Sequence, residues 1–428
     1  MPWDPFDRCQ GEVRLLWGAV ALWLLILRGP AFVENLCVKE IVPDFFQDYA
    51  SARNTLEGLP VYTSLDATIP RYLGQQRDTD RSLVVFNAHP PTSILLALPL
   101  AKLDFQTSLL AWNLLSLVAL AGCLWIIFRL LEVRLSAVAL CSTLAALLLC
   151  HPLWEGIRLG QLSLILALLL TGTWSAERSG RPALAGATLG VATAIKLFPG
   201  FLLLYYAWRR EWRVVAAGSL TLSLLTGLTA LVLGVMAYTD YFLTVLPHIY
   251  WFRVAWNNAS IAGFWCRLFD PEPGMAQQIW LTDPLCYSAR AAAVGYWLSS
   301  LVVLCLLARA TRRVKTQEDG DRAFALATTA MLLISPITWS HYFLVLLAPL
   351  AVLWHRLTPG VGARAAFISI VVALWLGPSL VWTVFDVGGR VAEPLDSVGV
   401  LSYQFYALVG LFLLGLLQMR STSRRRQA

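Results

Sequence analysis

The chain has 428 residues, of which 58% are hydrophobic and only 14% charged, with a formal net charge of +7. That balance excludes an ordinary water-soluble domain and marks a single integral membrane unit over 1–428. The eight cysteines form no CxxC pair and no Cys/His ligand spacing, so no structural metal is expected; nor do we expect a disulfide between Cys266 and Cys286.

Apolar runs able to cross a bilayer occur near 13–28, 106–128, 134–150, 161–176, 213–236, 290–309, 323–337, 341–355, 365–385 and 399–419. The first is followed by RGPAFVENLC instead of a small-residue cleavage site, so it is expected to remain as a span. Soon after it, DFFQDYASARNTLEGLPVY carries Asp44 and Asp48 one helical turn apart, with Gly58 as a stop. Phe45, Tyr49, Ala52 and Leu56 make an apolar stripe, which predicts a helix lying along the membrane with both acids held at its surface. A plain solvated face after a span explains the same pattern.

Further on, PALAGATLGVATAIKLFPGFLLLYYAW is too long for one crossing and is interrupted by Lys196, Pro199 and Gly200. Arg178 and Arg181 precede it, and Arg209, Arg210 and Arg213 follow. Two short helices meeting at KLFPG, a re-entrant pair, keep both basic clusters on one side. With the N-terminus inside, inner segments collect an excess of Lys and Arg and outer segments an excess of acids. About twelve crossings follow, with both termini cytoplasmic. Of the outer loops, 29–105 and 237–289 are long, and long loops in compact proteins tend to carry function. The basic tail RSTSRRRQA pairs with anionic membrane lipids, so the net charge calls for no nucleic acid.

Unusual polar residues gather at the outer ends of the apolar segments. They are His89 in FNAHPPTSILLALP, Arg158 and Gln161 in EGIRLGQLSLI, Lys196 in ATAIKLFPG, Asn257, Asn258 and Ser260 in WNNASIAG, and Trp339 and His341 in SPITWSHYF. Ionisable groups at membrane depth are costly unless paired or wet, so such a cluster reads as a site. Each also has an ordinary explanation: snorkelling for Lys196 or Arg158, interfacial placement for the histidines, an interhelical bond for Gln161. Together, cations can hold a phosphate leaving group while a carboxylate such as Asp44 takes a proton from an acceptor hydroxyl. Asp78-Thr79-Asp80 imitates the DxD metal motif of nucleotide-sugar enzymes without their strand context, and we read it as chance. Asn258-Ala259-Ser260 also matches a glycosylation acceptor, a weak signal.

In this order, DFFQDYASARNTLEGLPVY, HPPTSILLALPLAKL, RLGQLSLILALLL, AGATLGVATAIKLFPGFLLLYYAWRREWR, NNASIAG and SPITWSHYF resemble the membrane glycosyltransferases of family 87. These are GT-C-fold enzymes that include polyprenyl-phosphate-mannose-dependent alpha-mannosyltransferases of actinobacterial glycolipid synthesis. The resemblance implies an all-α polytopic membrane protein of GT-C fold in the plasma membrane, its active site facing outside. The family pattern sets its catalytic base five residues before a Tyr and fourteen before a Gly, which fits Asp44, Tyr49 and Gly58. Asp48 ranks second, tuning Asp44 or binding acceptor hydroxyls; two acids this close raise each other's pKa, which suits a base working near neutrality.

Lys196, Arg158 and His341 are then the contacts to the donor phosphate, and His89, Gln161, Asn258, Ser260 and Trp339 those to sugar or acceptor. Trp251, Trp256 and Trp265 are further candidates for sugar contact. Ser340 and Tyr342 stand beside His341 where relatives often carry an acid or a second His. The implied donor is a polyprenyl-phosphate sugar, mannose first and arabinose as the alternative. The acceptor is a glycolipid or glycan, transfer inverts the anomeric carbon, and neither metal nor other cofactor is called for. A lipid-sugar flippase would also need intramembrane charges and a broken helix, but no inverted repeat is visible and the charges gather at one face.

Overall fold

The computed structural model describes residues 10–38, 44–75, 85–270, 283–312, 314–357, 360–378, 383 and 393–425, and among them there is helix and no strand. The chain begins with α1 (Gln10–Glu34), α2 (Phe45–Leu56), α3 (Leu65–Leu73), α4 (Pro91–Ala97), α5 (Phe105–Leu130) and α6 (Ala137–Leu149). After a bend of 62° comes α7 (His151–Arg158), then α8 (Ser163–Arg178), α9 (Pro182–Ile195), α10 (Phe201–Trp208) and α11 (Trp212–Leu233). The C-terminal part holds α12 (Ile261–Phe269), α13 (Ala289–Thr311), α14 (Gln317–Ile334), α15 (Leu347–His355), α16 (Val361–Trp375) and α17 (Tyr403–Arg425). Several begin at side-chain caps: Asp104 accepts from the Thr107 amide at 3.0 Å, and Thr316 and Asp319 form a capping box.

Five helical stretches among the described residues are long and apolar enough to cross a membrane: Gly11–Cys37, Phe105–Leu130, Trp212–Leu233, Ala289–Thr311 and Pro394–Met419. The bent pair α6–α7 makes a sixth if taken as one span. Leu22, Trp23 and Ile26 of α1, Leu224 and Leu231 of α11, and Trp297 and Leu301 of α13 face outward and exposed, a distribution suited to lipid. The protein is an integral membrane protein. At its centre, α14 is buried at every position from 323 to 333 and packs against α8, α13, α15 and α17.

The interrupted stretch around Lys196 folds back. Gly186 abuts Val214 and Gly218, and Gly190 abuts Gly218 and Thr221; residue numbers rise together, so α9 and α11 run parallel and α10 returns between them. A Cβ on Gly186 would meet the Val214 carbonyl at 2.3 Å, so the close approach depends on the small residue. Both basic flanks come to one end of the molecule. Arg178 pairs with Asp321 at 2.5 Å, Arg209 with Glu177 at 2.5 Å, and all four line one cavity of about 370 Å³.

The α2 stretch departs from expectation. Gly58, at φ +69°, follows the end of the helix as anticipated. Yet every residue from 45 to 52 is buried, so α2 does not lie on the membrane surface with its acids in water. The reason is long-range: α4, α5 and the strand-free segment 85–90 close over it, and the stripe seen in the sequence is only one of its packed faces.

Candidate active site

Asp48 is 2% exposed and fully engaged. Its Oδ1 accepts from Asn87 Nδ2 at 3.1 Å and Ser93 Oγ at 3.0 Å, while Oδ2 lies 2.7 Å from His89 Nδ1. The other ring nitrogen, Nε2, is 3.3 Å from Lys196 Nζ. With Nδ1–H donating to Asp48, Nε2 accepts from Lys196, and the three side chains form one chain of hydrogen bonds. The local sequence sets this up: Asn87, His89 and Ser93 flank Pro90-Pro91, which starts α4, and Asn87 Oδ1 accepts the His89 amide at 3.0 Å. Lys196 arrives from the break after α9 in extended backbone (φ −155°, ψ 132°), its ammonium 4.7 Å from the centre of the Tyr342 ring. Burial pushes the Asp48 carboxyl up, but the charge and hydrogen bond of His89, with those from Asn87 and Ser93, outweigh it and hold the group below its usual 3.8.

Asp44 sits just before α2, half-buried, and accepts from Gln161 Nε2 and, at 3.2 Å, from Gln47 Nε2. Gln47 in turn accepts the Ala88 amide at 3.0 Å, tying Asp44 to the His89 segment. Burial raises the Asp44 carboxyl above its usual 3.8, against the charges of His89 and Lys196 and the Gln161 hydrogen bond; Asp48 adds to the rise. The two acids are thus pushed apart, one held ionised in a network and the other made more basic.

Gly160 brings Gln161 to Asp44. It has φ +63°, and a Cβ there would lie 2.5 Å from Phe45 Cβ; its carbonyl accepts Trp112 Nε1 at 2.8 Å, and the Phe45 amide donates to the Leu159 carbonyl at 3.0 Å. Gly160→Ala therefore meets both backbone strain and a clash, with an expected cost of about 2–4 kcal/mol. A thermal unfolding midpoint unchanged from wild type would contradict this reading of the turn.

A second wall faces these groups. Glu155 of α7 accepts the Ser340 hydroxyl, and its Oε2 lies 3.9 Å from His341 Nδ1 and 4.0 Å from His151 Nδ1. His341 rests edge-on against Tyr342, ring centres 4.8 Å apart, and the Lys196 ammonium lies 4.7 Å from the centre of the same Tyr342 ring.

The sequence pattern of glycosyltransferase family 87 matches residues 87–336, more than half of the chain, including the segments of His89, Glu155, Gln161 and Lys196 but neither the α2 acids nor the 339–342 turn. The chain belongs to glycosyltransferase family 87. A polyprenol-phosphate-mannose-dependent alpha-(1-2)-phosphatidylinositol mannoside mannosyltransferase of Mycobacterium tuberculosis is 24% identical over 385 residues, covering 85% of this chain and 82% of that protein. A polyprenol-phosphate-mannose-dependent alpha-(1-2)-phosphatidylinositol pentamannoside mannosyltransferase of Mycolicibacterium smegmatis is 24% identical, covering 62% of this chain and 60% of its own. Among solved structures, ArnT from Cupriavidus metallidurans bound to undecaprenyl phosphate matches at 16% identity and a TM-score of 0.40, covering 95% of this chain and 76% of that one.

In this family 87 glycosyltransferase, Asp44, Asp48, His89, Gln161 and Lys196 come together as one site. Other sequence candidates are placed differently. Arg158 is exposed at the end of α7, makes no hydrogen bond or ion pair among the described residues, and its charge acts on Glu155 and His151. Asn258, 0% exposed, is a backbone staple: its amide donates to the Arg253 and Pro336 carbonyls and its oxygen accepts from the Ser260 and Thr338 amides. Ser260 caps α12 and donates to the Pro336 carbonyl. Both side chains are engaged in holding the loop before His341, and Asn258 has no exposure.

Trp339 is half-buried, edge-on to Phe252, and Trp265 wedges against Gly295 and donates to Ser299. Asp78 and Asp80 lie outside the described residues. Gln47, Asn87, Ser93 and Glu155 escaped the sequence reading. All four sit within motifs already singled out, but only their contacts reveal them; by sequence Glu155 reads as an ordinary interfacial acid.

Proposed function

We propose that this glycosyltransferase has the GT-C fold, with about twelve membrane segments, and works on the extracytoplasmic face of the plasma membrane with both termini inside. It takes mannose from a polyprenyl-phosphate donor and passes it, with inversion, to a glycolipid or glycan acceptor. The relatives named above, which depend on polyprenol-phosphate-mannose, support that donor. The observation that carries the chemistry is the juxtaposition of a half-buried carboxylate shifted upward, Asp44, with an ammonium tethered by His89 and Asp48. Lys196, with His341 beside the shared Tyr342 ring, receives the phosphate, and Arg158 guides the anionic headgroup from the exposed end of α7. Asp44 takes the acceptor proton as the hydroxyl attacks the anomeric carbon in line, while the C–O bond to phosphate breaks and the phosphate leaves as an anion. Asp48 fixes His89, and through it Lys196, against that charge.

Purified enzyme in lipid nanodiscs, offered radiolabelled polyprenyl-phosphate-mannose, polyprenyl-phosphate-arabinose or GDP-mannose with a glycolipid acceptor, is expected to transfer from the first alone. Transfer from arabinose alone would change the sugar, and transfer from GDP-mannose would end the lipid-phosphate reading.

A further inference from the structure

Glu155 is the single acid of α7 and takes no part in the chemistry above. Its Oε2 is occupied by Ser340 and stands 3.9 and 4.0 Å from the two histidine Nδ1 atoms, too far for hydrogen bonds to either. His341 is 4% exposed, yet among the described residues neither of its ring nitrogens has a hydrogen-bond partner; His151 Nδ1 and Gln161 Oε1 are buried without one there as well. Native proteins pair nearly all such atoms, so the unpaired nitrogens of His341 and His151 beside the Glu155 carboxylate, with Gln161 Oε1 next to Asp44, are groups that a bound polar molecule would satisfy.

The chemistry of that space is mixed. A carboxylate and an amide oxygen accept, and imidazole N–H groups donate, which suits sugar hydroxyls that do both. A phosphate would be repelled by Glu155. The Lys196 ammonium is joined to Asp48 through the His89 ring, whereas the Glu155 carboxylate is met by the Ser340 hydroxyl and the His341 and His151 rings. Asp44 thus feels both the Lys196 ammonium and the Glu155 carboxylate, which belong to separate hydrogen-bond networks. In-line displacement puts the attacking hydroxyl and the leaving phosphate on opposite sides of the anomeric carbon, so the flank without the ammonium belongs to the acceptor.

We infer that Glu155, with His341, His151 and the Gln161 carbonyl, forms a subsite that grips the hydroxyls of the acceptor sugar beside Asp44, with Glu155 as its specificity-determining residue. This deepens the proposed function and rests on it for the direction of transfer. His341 then spans both halves, Nδ1 toward the acceptor and Nε2 toward the phosphate.

The test is binding to full-length enzyme in nanodiscs, by saturation-transfer NMR, of methyl glycosides of mannose, glucose and galactose, and separately of undecaprenyl phosphate. Glu155→Gln keeps an oxygen for Ser340 and removes the charge, so a merely structural role would survive it. Wild type is expected to bind at least one glycoside, with affinity reduced about tenfold or more in Glu155→Gln, partly restored in Glu155→Asp, and undecaprenyl phosphate binding unchanged in both. Lys196→Gln is expected to show the reverse pattern. No glycoside binding by wild type, equal binding by wild type and Glu155→Gln, or a loss confined to undecaprenyl phosphate would overturn the subsite. Failure of wild type to bind undecaprenyl phosphate, with the glycoside pattern intact, would instead sink the proposed donor and leave the subsite standing.

Discussion

Asp44→Asn is expected to leave the enzyme folded and able to bind its lipid donor, and to lower kcat for transfer by about a hundred- to ten-thousand-fold. The amide keeps an oxygen for Gln161 and Gln47, so the geometry survives and only the base is lost. The pH profile gives an independent check. A base must be unprotonated, and burial has moved the Asp44 carboxyl above its usual 3.8, so transfer rises with pH through a value above the normal carboxylate range. That acid limb is expected to disappear from the residual activity of Asp44→Asn. Undiminished transfer by the variant, or an unchanged limb, removes Asp44 from its role.

Asp48→Ala is expected to be the most damaging single change to stability, at about 3–5 kcal/mol, because it strands a buried histidine and the lysine behind it without their anion. Asp48→Asn keeps an acceptor for Asn87 and Ser93 and is expected to cost less. The sign with pH follows from a folded-state pKa held below 3.8. Ionised Asp48 contributes stability that is fully present above the unfolded value and is lost as pH falls through the folded one. The gap in unfolding midpoint between wild type and Asp48→Asn therefore narrows in acid. A gap that widens, or two variants as stable as wild type in neutral detergent solution, would mean that the carboxylate is not what holds His89.

Much of the architecture was legible without coordinates because it depends on solvent preference along the chain. The apolar runs are largely helical over their described residues, the break at KLFPG is a fold-back, and Arg178 and Arg209 come to the same end, since lipid, water and proline act on local sequence. Asp44, His89, Gln161 and Lys196 stood out for a similar reason: polar groups are expensive in such surroundings and need a purpose. What composition and spacing left undecided was which faces of a helix are covered, and by what. The one-turn spacing of Asp44 and Asp48 is the same whether α2 floats on a membrane or is buried, and only α4, α5 and the 85–90 segment, packed from elsewhere in the chain, turned it inward. The same holds for Asn258, spent on the backbone 78 residues away at Pro336, and for Glu155, whose neighbours Ser340 and His341 lie on a distant turn. Spans follow from transfer free energies that each segment carries within itself, whereas a pocket depends on pairings between remote segments, and those exist only once the chain has packed.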